Sequence, residues 1–483
     1  MARISSVAVW FAGSMRRIKI LSVLSAAIIA ALIGIPANAA PTPDLGPTDT
    51  SLMHNDLYST DSTSLPGPGV GAHVAASSTP GGACAATFVG SDGMPVSLCT
   101  SYVGTNPPAF AAPTVVLFDP VTANPIARLQ LTKGGLLGGV YGYLDSKDRV
   151  VVADGSGSIL RVAHRRTPAG YQMFIDQRID VKQLIPQGDS ITAVAPDWDG
   201  RIWFATTHGV IGTVRGDGTR AVAMSLPAGE EIANGLTLRP GGASVLTDHA
   251  LYEMSAGSNG VPKTLWRKTY DRGPARKPGQ LSWGSGTTPG YFGEGDDQYV
   301  AIVDSAVRPN LLVYRTDGGS LKCTMKTFVT SGQGTENAPM AWGDSLLIGS
   351  TYGFAYPPFA TSGGPAVPAF ASFVGGMTRI DVKPDGCHRI WENHDRLASL
   401  PHLSRADGLI QGLSYGDLNA NPVQEVGPVY YAATDFRTGR RVVTTQVGVA
   451  PLDEPMQLTG VIGPGRVLWQ GTLGRMLKIA GGR

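Results

Sequence analysis

The run RVVVADGSGSILRVAHRR (Arg149–Arg166) decides the fold. Val150–Ala153 is an unbroken apolar stretch rich in β-branched residues. It stops at Asp154, turns through Gly155-Ser156-Gly157, and resumes as a strand that begins apolar and ends basic. The same unit returns along the chain at intervals of roughly 40 to 65 residues. Other copies are VVLFDPVTANPIARLQL (Val115–Leu131), GRIWFATTHGVIGTVRGDGTRAVAMSL (Gly200–Leu226) and ASVLTDHALYEM (Ala243–Met254). They continue with QYVAIVDSAVRPNLLVYRTDGGSLKCTMKTF (Gln298–Phe328), GMTRIDVKPDGCHRIWEN (Gly376–Asn393), VYYAATDFRTGRRVVTTQV (Val429–Val447) and RVLWQGTLGRMLKIA (Arg466–Ala480). Short strands and Gly-rich turns repeating on this scale predict an all-β chain folded as a β-propeller.

Innermost strands are expected near Gly139, Ile191, Ile232, Gly290, Asn337 and Asp407, with an incomplete unit from Met456 to Ala480. The strands of Val115–Leu131 are left over at the other end of the chain. Joining them to the last unit gives seven four-stranded blades closed by strands from both termini, which removes an open sheet edge; six and eight blades are the alternatives. Gly and Pro number 63 and 35, and 42% of residues are hydrophobic. That balance assigns the Gly and Pro to turns rather than to disorder.

The ends of the chain read differently. Arg16, Arg17 and Lys19 precede the apolar run Ile20–Ile35, and Ala37-Asn38-Ala39 is a small-residue cleavage pattern. Residues 1–39 are therefore read as a signal peptide, with an uncleaved anchor as the alternative. Localisation is expected to be extracellular or at the cell envelope. Residues 1–40 carry four basic side chains and no acid, so the formal net charge of +2 becomes −2 without them. No basic patch argues for nucleic acid as a partner. Residues 40–82, dense in Pro, Gly, Ser, Thr and Asp, read as a flexible linker, and residues 83–483 as the propeller domain.

Four cysteines in an exported chain point to disulfides. Cys323 and Cys387 occupy matching places in successive units, LLVYRTDGGSLKC and MTRIDVKPDGC, while Cys84 and Cys99 are close in sequence. Of the three pairings that four cysteines allow, position favours Cys84–Cys99 and Cys323–Cys387. Trp203, Trp391 and Trp469 lie within strand patterns and are assigned to packing between blades.

No nucleophile elbow, phosphate loop or zinc motif is present. His164, His208, His249, His388, His394 and His402 read as surface or turn residues. Long insertions at Asp271–Thr288, Tyr356–Val374 and Asn419–Pro428 are of the kind that carries function or disorder.

Two resemblances bear on chemistry. IANGLTLRPGGASVLTD (Ile232–Asp248) resembles regucalcin/gluconolactonase-like propellers, in which an Asn-Gly at this point supplies an oxygen to a divalent cation. That likeness implies Asn234 as a metal ligand, joined by Asp407 in RADGLIQGLSYGD and by Glu336 and Asn337 in GTENAPMAWGD. Oxygen donors of this kind suit Ca²⁺ or Mg²⁺. The chain departs from that family at Gly138-Gly139-Val140 and at Ala193. YAATDFRTGRRVV (Tyr431–Val443) resembles the repeat of quinoprotein-type propellers, with Val443 where that repeat has Trp. The chain lacks their adjacent cysteine pair.

Three functions follow in order. The first is a ligand- or protein-binding scaffold that uses the central funnel and the loop insertions. The second is a metal-dependent hydrolase or lactonase, and the third a quinone-dependent dehydrogenase. The partner is accordingly expected to be a small molecule or a protein.

Overall fold

The computed structural model describes residues 42–103, 109–134, 141–331, 333–418 and 426–482. The expected signal peptide lies outside them. Within them the chain is all-β, and its strands form a propeller of eight four-stranded blades.

Blade 1 comprises Ala83–Val89, Pro95–Thr100, Thr114–Phe118 and Pro125–Gln130. Blade 2 starts with Tyr143–Leu144, blade 3 with Ile191–Pro196, blade 4 with Thr237–Arg239 and blade 5 with Gly290–Phe292. Blade 6 starts with Met340–Trp342, blade 7 with His402–Ser404 and blade 8 with Val461–Gly463. Each first strand is innermost, and within a blade each strand pairs antiparallel with the next. Second strands are sandwiched between neighbouring blades, so Val150–Asp154, Gly242–Leu246, Tyr299–Val303 and Ser345–Gly349 are buried at every position. That is why they read as continuous apolar runs instead of alternating ones. Outermost strands such as Pro262–Thr269 alternate between partly buried and exposed, as a sheet edge with one wet face must.

The count of seven is corrected to eight. Val115–Leu131 does not complete the last blade. It supplies the two outer strands of blade 1, whose inner strands are the Cys84 and Cys99 segments. Closure still uses both termini, but through a different strand. His73–Ser78 pairs with Met476–Ala480 and becomes the outermost strand of blade 8.

The linker expectation is corrected as well. Residues 42–82 belong to the propeller. Asp49, Thr50, Ser51, His54, Asn55, Ser59, Asp61, Ser62 and Thr63 are all buried, because the segment loops into the axial channel. It enters beside the end of the first strand of blade 2, where Leu45 bridges Asp145. It leaves beside the end of the first strand of blade 7, where Ser62–Thr63 pairs parallel with His402–Ser404. Between these points it satisfies inner-strand amides that face the channel and have no neighbour in their own sheet.

Both disulfides form as position favoured. Cys84 and Cys99 face each other across two strands of blade 1, with Cα atoms 3.9 Å apart. Cys323–Cys387 ties the outermost strands of blades 5 and 6. Trp203 and Trp469 are buried between blades. Trp391 packs on the next blade, where its indole N–H donates to Phe436 O (2.9 Å).

Candidate functional site

First strands all start at one face of the ring, and second strands end there. The described insertions both fall on that face. Residues 270–289 join the last strand of blade 4 to the first of blade 5, and residues 350–376 join the second and third strands of blade 6. They are laced together by main-chain bonds: Ser362 N donates to Leu281 O (2.7 Å), Val367 N to Arg276 O (2.8 Å) and Gly353 N to Pro278 O (3.1 Å). Arg276 adds bonds to Gly364 O and Gln280 O. Lys277 is buried and donates its ammonium to Ala306 O and Gln333 O. Burial brings its pKa down to about 8.

The roof so formed covers a cleft of about 460 Å³ above blades 3, 4 and 5, within the size range of small-molecule sites. Ile191, Ile232 and Leu246 line its floor, and Trp283 and Phe359 come from the two insertions. Hydroxyl and amide groups surround them, from Ser190, Thr207, Asn234, Ser282 and Thr361.

One ion-paired cluster enters this cleft, and the exposed Glu231 lines it as well. Asp248 Oδ1 accepts from Glu231 N (2.8 Å) and pairs with His249 Nδ1 (2.8 Å). Its Oδ2 accepts from Arg272 (2.6 Å). A second Arg272 nitrogen donates to His249 Nε2 (2.5 Å), which makes Nδ1 the protonated ring nitrogen. The guanidinium also stacks on Trp283, 4.0 Å from its ring centre, and Trp283 Nε1 donates back to Arg272 O (3.0 Å). Tyr270 ties the roof to the floor: its hydroxyl donates to Thr247 O (2.6 Å) and accepts from Ser285 N (3.0 Å). Burial pushes that phenol upward.

The four candidate metal ligands are not brought together. Asn234 lines the cleft, with its amide directed at Ser285 O (3.4 Å). Glu336 and Asn337 precede the first strand of blade 6 on the same face. Glu336 packs its carboxyl against Gly286, and burial raises its pKa to about 8 against the opposing pull of the Leu281 N–H and Arg276. Asn337 is 3% exposed, and its amide nitrogen has no partner. Asp407 lies at the opposite face, in the turn between the first two strands of blade 7. There it accepts from Gly67 N (2.7 Å) and pairs with Arg466 (3.2 Å). Among the described residues no group of three or more His, Cys, Asp or Glu side chains is arranged to hold a metal. The donor set implied by resemblance therefore does not fit a single cation.

Residue reading passed over Asp248, Arg272 and Trp283, and placed His249 in a turn without a role. The available signal was the Pro/Gly-rich insertion Asp271–Thr288, which holds Arg272 and Trp283.

These features define an eight-bladed propeller with a roofed rim cleft and an axis filled by its own chain. The chain matches no protein-family model. A protein of Archaeoglobus fulgidus described only as uncharacterized is 30% identical over 150 residues, 29% of either chain, so the match spans less than a third of that relative's length. Among solved structures, BamB from Moraxella catarrhalis overlaps with a TM-score of 0.41 at 13% identity, over 70% of this chain and 86% of that one. Sqt1 from Chaetomium thermophilum, bound to the N-terminus of ribosomal protein L10, gives 0.49 at 12%, over 86% and 98%. The computationally designed Ika8 protein gives 0.49 at 10%, over 85% and 99%. The propeller assignment rests on the sheet topology of the chain itself.

Proposed function

We propose that this chain is an exported binding propeller whose ligand cleft lies at the rim of blades 3 to 5, and that the ligand is a neutral, hydroxyl-rich small molecule such as a saccharide. The observation that carries the reading is the closed Asp248–His249–Arg272 cluster. Its charges compensate one another, so the cluster itself offers no free ion to a ligand. Around it the cleft keeps apolar, aromatic and hydroxyl walls, with the carboxylate of Glu231 as a further acceptor for hydroxyls. A sugar ring presents a face of C–H groups to an aromatic side chain and a rim of hydroxyls that both donate and accept. The two disulfides are compatible with an extracellular setting.

Calorimetric titration of the full chain with soluble neutral oligosaccharides of differing linkage tests this. One or more should bind, and Trp283→Ala or Asn234→Ala should weaken it about tenfold or more, a loss of about 1.4 kcal/mol, in variants that circular dichroism shows to be folded at the titration temperature. Absence of binding across the panel, or undiminished affinity in both variants, refutes the assignment.

A further inference from the structure

We infer that the axial channel is a peptide-binding groove, occupied in cis by the N-terminal segment of the same chain and specific for an acidic, hydroxyl-rich peptide folded into a series of turns. Three sets of observations carry this.

The first is main-chain recognition. Six of the eight blades aim inner amides at the carbonyls of this segment. Val89 N donates to Thr50 O (3.1 Å), Leu144 N to Ser51 O (2.8 Å), Leu238 N to Leu57 O (2.8 Å) and Tyr291 N to Tyr58 O (2.9 Å). Ala341 N donates to Thr60 O (2.8 Å), Leu403 N to Asp61 O (2.9 Å) and Arg405 N to Thr63 O (2.9 Å). The segment winds through turns, with left-handed residues at Asp49, Asn55, Ser59 and Asp61, and adds as a true strand only at Ser62–Thr63. The ring therefore recognises it by amides that take up its carbonyls around the axis.

The second is side-chain recognition. His54, held within the segment by Asp61 (2.9 Å), reaches Thr288 on the ring (3.1 Å). Asn55 meets His402 (2.8 Å), Ser59 meets Thr237 (3.0 Å) and Ser62 donates to Ala341 O (2.5 Å). Tyr58 stands edge-on to Tyr291, 6.1 Å between ring centres. Residues 42–69 contain Asp44, Asp49, Asp56 and Asp61 and no Lys or Arg. The ring answers with Arg161 on Asp44 (2.8 Å) and Arg405 near Asp49 (3.9 Å).

The third is separability. All eight blades have four strands drawn from His73–Ala480, so the ring closes without residues 42–69. The segment joins the ring through a turn in which Val70 is 80% exposed. Tethering gives it an effective concentration that a free peptide cannot match. The groove therefore accepts a partner segment in trans only when the cis segment is released.

The test is made on the full chain with a site-specific protease sequence inserted between Val70 and Gly71. After cleavage, a fluorescent synthetic peptide of residues 42–69 is added in excess and exchange is read by anisotropy and native gel filtration. The labelled peptide should enter nicked protein, fail to enter uncut protein, and lose at least about tenfold in affinity when it carries Asp44→Ala, which removes the carboxylate held by Arg161 of the ring, a loss of about 1.4 kcal/mol. Unfolding of the ring on cleavage, or a nicked ring that takes up no labelled peptide, would show the segment to be framework and overturn the inference.

Discussion

Glu336 sits beneath the roof, where burial holds its carboxyl at about 8 instead of the usual 4.5. The folded chain thus keeps a proton that the unfolded chain has already released between those two values. The contribution of Glu336 to stability should therefore fall as pH rises from about 4.5 to about 8, and level off above. Glu336→Gln keeps a neutral group of the same shape and removes this slope. Melting temperatures should show the variant gaining on the parent at about pH 8 and not at about pH 4; parallel pH curves would contradict a buried, protonated Glu336. Its neighbour in sequence, Asn337, was legible as a polar residue at a strand start. What residue reading could not show is that Asp407 belongs to the other face. The first strand of blade 7 is only His402–Ser404, too short to leave a periodic mark. A start assigned at Asp407 instead of His402 carries the residue across the whole thickness of the ring, where it clasps Gly67 and Arg466.

At the scale of elements, the contacts between blades repeat a device in which a Trp on one outermost strand docks on the tight turn of the next blade. Trp266 donates to Thr316 O (3.0 Å) beside Gly319, and Trp391 donates to Phe436 O (2.9 Å) beside Gly439. In the second case Asp435 accepts from the amide and hydroxyl of Thr438 (2.8 and 2.7 Å) and shapes the turn. Gly439 has φ +68°, and a side chain there would strike the Trp391 indole at 2.5 Å. Gly439→Ala should therefore cost about 2 kcal/mol, from left-handed backbone strain and displacement of the indole. Chemical denaturation followed by tryptophan fluorescence checks it, and an unchanged midpoint would mean the dock does not stabilise the blade pair. The Asp and Thr-Gly of this turn were readable in YAATDFRTGRR. Trp391 was readable as packing between blades, but its dock on this turn was not, because it comes from the preceding blade.

Over the whole molecule, closure and filling are both the work of residues 42–82. Loss of His73–Ser78 leaves blade 8 with three strands and an open outer edge. A chain beginning at Cys84 should lose cooperative thermal unfolding, whereas one beginning at Gly71 should keep it at a lower midpoint. Circular dichroism melts of the two distinguish a closing strand from a filling segment, and equal cooperativity in both would remove the closing role from His73–Ser78.

The propeller itself was written in the chain, because second strands packed on both faces must be apolar throughout, as VVVAD, ASVL and YVAIVD are. So was the Cys323–Cys387 tie, since equivalent places in successive units become neighbours in a ring. The eighth blade, the closing strand and the filled axis were decided only by tertiary structure. A segment held by its carbonyls against amides from six blades needs no apolar alternation of its own. Residues 42–63 therefore carry the composition of a linker while occupying the centre of the fold. The cleft followed the same rule: the insertions were visible in sequence, and only folding joined Asp248, Arg272 and Trp283 into one wall.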